Sequence, residues 1–183
     1  MLAGEIITRV SGRPWREVVA RRVFARAGPP RTDLPAEGDQ RCKACARGDD
    51  YMDGLPRDPT AVDPSMAGAA GGSAPVTSSD DLVQFFRALM AGELFDRADT
   101  LDTMRTFVSA NVPEELQIGY GLGLILDHLG EVSMMGQLGG TAGFHNFVFY
   151  LPNHGVVLSG FMNRRGDLGA SLFPVLEAVS DMP

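Results

Sequence analysis

At 183 residues the chain is long enough for one domain with a real core, burying roughly 70% of its unfolded surface. Its 44% apolar and 21% charged residues are ordinary for a soluble protein, and a net charge of −7 argues against a general nucleic-acid surface. No run of about 18 uninterrupted apolar residues occurs, so no membrane span is predicted.

Leu2, Ile6, Ile7 and Val10 recur at helical spacing, and Gly12 follows as a stop. Glu5 and Arg9 interrupt that apolar run, which therefore lacks the basic-then-apolar order of a signal peptide. The chain as given is accordingly expected in the cytoplasm, while the compartment of a complete parent stays open. Pro14 suits the first position of a second helix, whose stripe is Trp15, Val18, Val19 and Val23; Gly28, Pro29 and Pro30 end it.

Residues 29–77 hold most of the prolines and many glycines, and read as an irregular region within one domain spanning 1–183. Cys42 and Cys45 lie there as a lone Cys-x-x-Cys. A structural zinc needs four ligands, no second Cys pair exists, and the spacing of His128, His145 and His154 matches no metal pattern. A passive, exposed pair is the expectation, with no metal or cofactor site.

Ser78 or Ser79 can cap the next helix, with Asp80 and Asp81 in its first turn and Leu82, Phe85, Phe86 and Leu89 on its buried face. Gly92 closes it. A shorter helix is predicted over 96–107. After Pro113 the period becomes two: Tyr120, Leu122, Leu124 and Leu126 alternate with other residues. Strands follow at 132–137, 145–151 and 156–162, with Asn153-His-Gly155 as the last hairpin turn. A final helix is predicted over 171–179, which places Pro174 in its first turn. Helices, then an antiparallel sheet, then a closing helix make an α/β chain of the segregated α+β type.

Several phrases carry a resemblance. They are Gly4–Gly12, Arg22-Val-Phe24 through Gly28, Ala69-Ala-Gly-Gly72, Thr77-Ser-Ser-Asp-Asp-Leu82, Tyr120-Gly-Leu-Gly-Leu124, the last strand and Asn163. In order and spacing they resemble the serine beta-lactamase and D-alanyl-D-alanine carboxypeptidase family, the penicillin-binding, class C beta-lactamase-related hydrolases. Read this way, the resemblance covers essentially all of the chain but only the C-terminal half of the family's catalytic domain. A partial beta-lactamase/transpeptidase-like fold and a truncated domain are the expectation.

The resemblance implies metal-free acyl transfer on amide or ester bonds, with no cofactor. Gln137-Leu138-Gly139 stands where the family carries Lys or His, a variable residue, and Gly. The resemblance makes Gln137, Leu138, Gly139, Gly140 and Thr141 cleft residues, with the main chain around Gly140 and Thr141 supporting the developing oxyanion. Gln137 offers hydrogen bonds but no charge, which turns selection away from carboxylates and toward an esterase-like member. His145 is a further candidate for substrate contact. The family's Ser-x-x-Lys and Tyr-x-Asn are missing: the sole lysine, Lys43, follows Gln40 at that offset, and no tyrosine has Asn two residues on. No nucleophile or base is therefore assigned, and the chain alone is expected to be catalytically incomplete. Ser159, His145 and Asp127 could be grouped as a triad, but no spacing supports it. The alternative expectation is a non-catalytic binding or partner module with an exposed apolar face and sheet edge. Its partners would be a second copy or a complementing polypeptide; those of a complete parent would be a small-molecule or peptide acyl substrate.

Overall fold

Five antiparallel strands, joined in sequence order, carry the helices of this chain. The computed structural model describes residues 2–35, 46–48, 50–52, 55–57, 75–109, 119–129, 131–141, 143–164 and 166–180. The Cys42–Cys45 pair, Lys43, the 69–72 glycine pair and the side chain of Thr141 lie outside the described residues.

Helix α1 (Leu2–Ser11) packs on α2 (Trp15–Val19). The contact is close because Gly4 has no side chain: a Cβ there would lie 3.1 Å from Trp15 Cδ1. Thr8 Oγ1 ties the pair, donating to the Gly4 carbonyl at 3.0 Å and accepting from Trp15 N at 3.1 Å. Pro14 is the residue before α2, with extended ψ, so it precedes the first helical position expected for it. The helix then runs through a π-helical turn (Ala20–Phe24) into α3 (Ala25–Ala27), a widening that apolar spacing does not announce. Gly28 stops it in the left-handed region at φ +67°. Gln84 Nε2 then donates to the Ala27 and Gly28 carbonyls at 2.9 and 3.0 Å, satisfying oxygens that the helix end leaves free.

Within 29–77 the described backbone includes a short antiparallel ribbon of β1 (Asp50–Met52) and β2 (Leu55–Arg57). Helix α4 (Ser79–Met90) begins where the capping chemistry predicts, with the Ser78 hydroxyl accepting from Asp81 N at 3.3 Å. Helix α5 (Thr100–Met104) is shorter than the predicted 96–107. Arg97 and Asp99 pair with each other before it, and Thr106 to Val108 leave it to meet Tyr120.

The main sheet runs β3 (Gly119–Tyr120), β4 (Ile125–Leu129), β5 (Val132–Thr141), β6 (Phe144–Leu151) and β7 (Val156–Met162). Its two faces separate cleanly along β6. Phe147, Phe149 and Leu151 pack with Val132 and Met134 against Leu172, Leu176 and Val179 of α6 (Leu168–Ser180). Val148, between them, points the other way and packs with Val157 against Phe86 and Leu89 of α4. Each fully buried side chain of this kind contributes about 1.5–3 kcal/mol before conformational entropy is set against it. The fold is thus α+β, with helices on both faces of an antiparallel sheet and a C-terminal helix against it.

Two boundaries differ from expectation for local reasons. Asp167 Oδ1 accepts from Gly169 N and Ala170 N at 2.8 and 3.2 Å, so the cap starts α6 at Leu168 rather than Ser171. Pro174 is then inside the helix instead of in its first turn. The alternating run from Tyr120 is not one strand but a hairpin, because Gly123 turns the chain at φ +77°. No helix among the described residues is long and apolar enough to cross a membrane.

Candidate functional site: the open edge of β5

Strand β4 is too short to cover β5. Their pairing runs from Leu129–Val132 to Ile125–Gly136 and stops. Residues 137–141 continue the ladder with β6 alone, from Gln137–Val148 to Thr141–Phe144. Among the described residues, then, the second half of β5 has one paired side and one open side. Open strand edges present main-chain N–H and C=O groups to whatever approaches.

The Tyr120-Gly-Leu-Gly-Leu124 hairpin stands at the start of this edge. Its glycines let it press onto α5: a Cβ on Gly121 would lie 2.3 Å from the Met104 carbonyl oxygen. Leu122 N donates to that same oxygen at 3.0 Å, and Tyr120 exchanges two main-chain hydrogen bonds with Val108 at 3.1 and 2.8 Å. The tyrosine is thereby fixed in the main chain while the residue remains 40% exposed.

Gln137 bridges hairpin and strand. Its Nε2 donates to Tyr120 Oη at 2.8 Å and reaches the Gly123 carbonyl at 3.5 Å. Its Oε1 accepts from the main-chain N–H of Leu138 at 3.1 Å. That N–H is bonded by a side chain rather than by β6, so it faces the edge that β4 leaves open. Strand alternation puts the N–H of Gly140 on the same side.

The six candidate residues do not share one face. Gln137 and Gly139 lie on the α4 face, opposite Val148 and Asn146, and a Cβ on Gly139 would come within 3.0 Å of Asn146 Oδ1. Leu138 packs with the α6 cluster, and Gly140 follows on that face opposite His145. A Cβ on Gly140 would meet His145 Nδ1 at 3.3 Å, so the imidazole lies under the strand there and not beside Gln137. Thr141 closes β5 against Phe144.

The Ser159–His145–Asp127 grouping is dispersed. Ser159 pairs with Val148 on the α4 face and its Oγ lies 3.4 Å from the Ser79 carbonyl, whereas His145 belongs to the opposite face. Asp127 is buried on β4, where its Oδ1 accepts from His128 N at 2.7 Å. Burial raises its carboxyl pKa above the usual value, opposed by the His128 N–H and imidazole. Asn163, at the far end of β7, donates from Nδ2 to the Arg47 carbonyl at 2.9 Å. Gly48 next to it packs on the Phe144 ring, where a Cβ would lie 2.7 Å from Cε2. Residues 46–48 therefore lie over the far end of the β5–β6 hairpin.

Sequence reasoning missed Tyr120 as a site residue. Its glycines were legible, but the contact to Gln137 spans 17 positions and depends on the hairpin at Gly123.

The family model for beta-lactamase matches residues 1–176. Among solved structures, a D-stereospecific amidohydrolase from Streptomyces sp. is 31% identical, covering 89% of this chain and 48% of that one, with a TM-score of 0.78. A D-amino acid amidase from Ochrobactrum anthropi SV3, complexed with L-phenylalanine amide, is 27% identical over 98% of this chain and 55% of that one, at TM-score 0.82. A penicillin binding protein from Bacillus halodurans shares the fold at 21% identity, 96% and 53% coverage, and TM-score 0.74. A comparison with curated proteins finds no match. The chain spans about half the length of these solved structures.

These findings correct one expectation. The expected restriction to a C-terminal half of the family's catalytic domain, and with it a truncated domain, is not supported. The match over residues 1–176 extends through nearly the whole chain. The expected restriction rests on the missing Ser-x-x-Lys and Tyr-x-Asn, whereas the phrases that carry the resemblance already begin at Gly4–Gly12.

Proposed function

The chain belongs to the beta-lactamase family, and on that premise we propose that the open edge of β5 binds the acyl part of an amide or ester ligand. The edge acts as one wall of an acyl-transfer site. The observation that carries this reading is the Leu138 N–H, turned to the open side at Gln137–Thr141 and bonded only by a neighbouring side chain. A ligand carbonyl can take the place of Gln137 Oε1 there or pair with Gly140 N–H. Neither Gly139 nor Gly140 has a Cβ to hold it off. Thr141 ends the wall, and His145 supports it from beneath Gly140.

Substrate class follows from charge. Gln137 stands where a cation would select a carboxylate, and its amide is neutral at all ordinary pH. Uncharged carboxamides and esters fit the edge better than acids. Support comes from relatives described as amidohydrolase and amidase, one of them bound to an amino-acid amide. The 183 residues include one lysine, Lys43, with no serine three residues before it, so they do not supply the family's Ser–Lys pair.

The test is a titration of the purified chain with N-acetylphenylalanine amide, following backbone amides by NMR. Leu138 and Gly140 should shift most, with Gly155 in the far hairpin turn unmoved. Shifts absent from β5, or spread evenly over the surface, would remove the proposal.

One observation favours the alternative of a partner module. Leu2, Ile6 and Val10 form an exposed stripe along α1, at 75, 50 and 83% accessibility. A second copy or another polypeptide covering it would raise the sedimentation mass above one chain. Ile6→Asp should then abolish the increase while leaving the β5 titration unchanged, and a monomer at high concentration would dismiss the second-copy form.

A further inference from the structure

The amide of Gln137 has two ends, and its partners tell them apart. Leu138 N–H can only donate, so the atom 3.1 Å from it is the oxygen, and the NH₂ group must face Tyr120 Oη at 2.8 Å. Tyr120 Oη therefore accepts. Its own hydrogen is left over, and no second acceptor for it occurs among the described residues. Gln137, by contrast, has committed both ends inward: one N–H to Tyr120, the other toward the Gly123 carbonyl at 3.5 Å, and Oε1 to Leu138. The exposed polar group at this corner is the phenol.

Resting on the proposed acyl-binding edge, we propose that Tyr120 is the ligand-binding donor of this site and that Gln137 positions it. The Tyr120 hydroxyl hydrogen is directed to a carbonyl oxygen of a neutral amide or ester lying along β5. Gln137 supplies no contact of its own to that oxygen. It holds the phenol in the accepting sense so that the hydrogen points outward. Tyr120 suits the role because its main chain is locked to Val108 by two hydrogen bonds while the residue stays 40% exposed. A pre-positioned donor loses little freedom on binding. A phenol and a carboxamide recognise a carbonyl by hydrogen bonding and do not demand an acid.

The test rests on reversing the bond between the two residues. Gln137→Glu keeps the shape and keeps an oxygen for Leu138 N–H, but a carboxylate can only accept. Tyr120 must then donate inward, and its hydrogen is withdrawn from the ligand although the tyrosine remains. Affinity for N-acetylphenylalanine amide should fall about tenfold in Tyr120→Phe, the usual scale for one lost hydrogen bond, and by a similar factor in Gln137→Glu. The double variant should be no weaker than either single one, because both remove the same contact. Amide spectra of Phe149 and Leu176 monitor the fold throughout. Unchanged affinity in Tyr120→Phe, with Leu138 and Gly140 still shifting, overturns this inference and leaves the acyl-binding edge standing. Full affinity in Gln137→Glu overturns the positioning role. Absence of any β5 shift in the unmodified chain removes the edge and this inference together.

Discussion

The Thr32 hydroxyl donates to the Asp81 carboxylate at 2.7 Å across 49 positions of sequence. Asp81 is 3% exposed, and the same Oδ2 accepts from Arg31 N at 2.7 Å. Because a carboxylate accepts only, the 2.7 Å contact between Thr32 and Thr77 has Thr77 donating. One aspartate in the first turn of α4 thereby fastens the chain that leaves α3, next to the Asp33–Val76 bridge.

Asp81→Ala should cost about 2–4 kcal/mol, since it strands a main-chain donor and a hydroxyl that shared a charged acceptor. Asp81→Asn, which keeps one oxygen, should cost less than half as much. Urea unfolding gives the comparison: the midpoint should fall in that order with the slope unchanged. Equal midpoints for Asp81→Ala and the unmodified chain would show that the carboxylate does not hold this crossing.

A glycine of β5 and one of the turn before β7 should respond unequally to the same change. A Cβ on Gly136 would sit 1.9 Å from the Val148 carbonyl oxygen and 2.8 Å from Phe149 Cα, both main-chain atoms that cannot move aside alone. Gly136→Ala should therefore destabilise by more than about 3 kcal/mol or prevent folding. Gly155 has open space around it and only its φ of +64° to protect, so Gly155→Ala should cost about 1 kcal/mol. Thermal melts of both decide the matter, and a mild Gly136→Ala would mean that β5 and β6 are not packed this closely.

Asp127 makes stability depend on pH. Burial holds its folded-state carboxyl pKa above the usual 3.8. The unfolded chain then releases this proton first as pH rises, and stability contributed by the neutral form is lost as pH climbs through the raised value. Asp127→Asn removes the titration while keeping an acceptor for His128 N. Relative to the unmodified chain it should gain stability at pH 7, and that gain should vanish below the usual 3.8. A difference in melting temperature that stays constant from pH 3 to pH 7 would contradict the assignment.

Local chemistry made much of the fold legible. Ser78 as a cap, the Leu82–Phe85–Phe86–Leu89 face of α4, and the extents of β6 and β7 all follow from spacing of one or two turns. What was not legible depends on contacts far apart in the chain. Gly123 turns an alternating run into a hairpin at positive φ, with Leu122 and Gly121 held against Met104. Gln137 is legible as a hydrogen-bonding residue of the cleft, but its partners Tyr120 Oη and Leu138 N–H are not, because the first lies 17 positions away. The alternation along β5 also separates His145 from Gln137, a division visible once the register with β6 is known.

The proposed acyl-binding edge lies in a chain whose sequence holds no Ser-x-x-Lys. Its most direct test is incubation of the folded 183-residue chain with a nitrophenyl ester and a chromogenic beta-lactam, followed by intact mass. No turnover above buffer and an unchanged mass are expected, even at ligand concentrations that shift Leu138 and Gly140. Turnover with a stoichiometric acyl adduct would contradict that expectation, and the modified residue would be a nucleophile outside the family's Ser-x-x-Lys pattern.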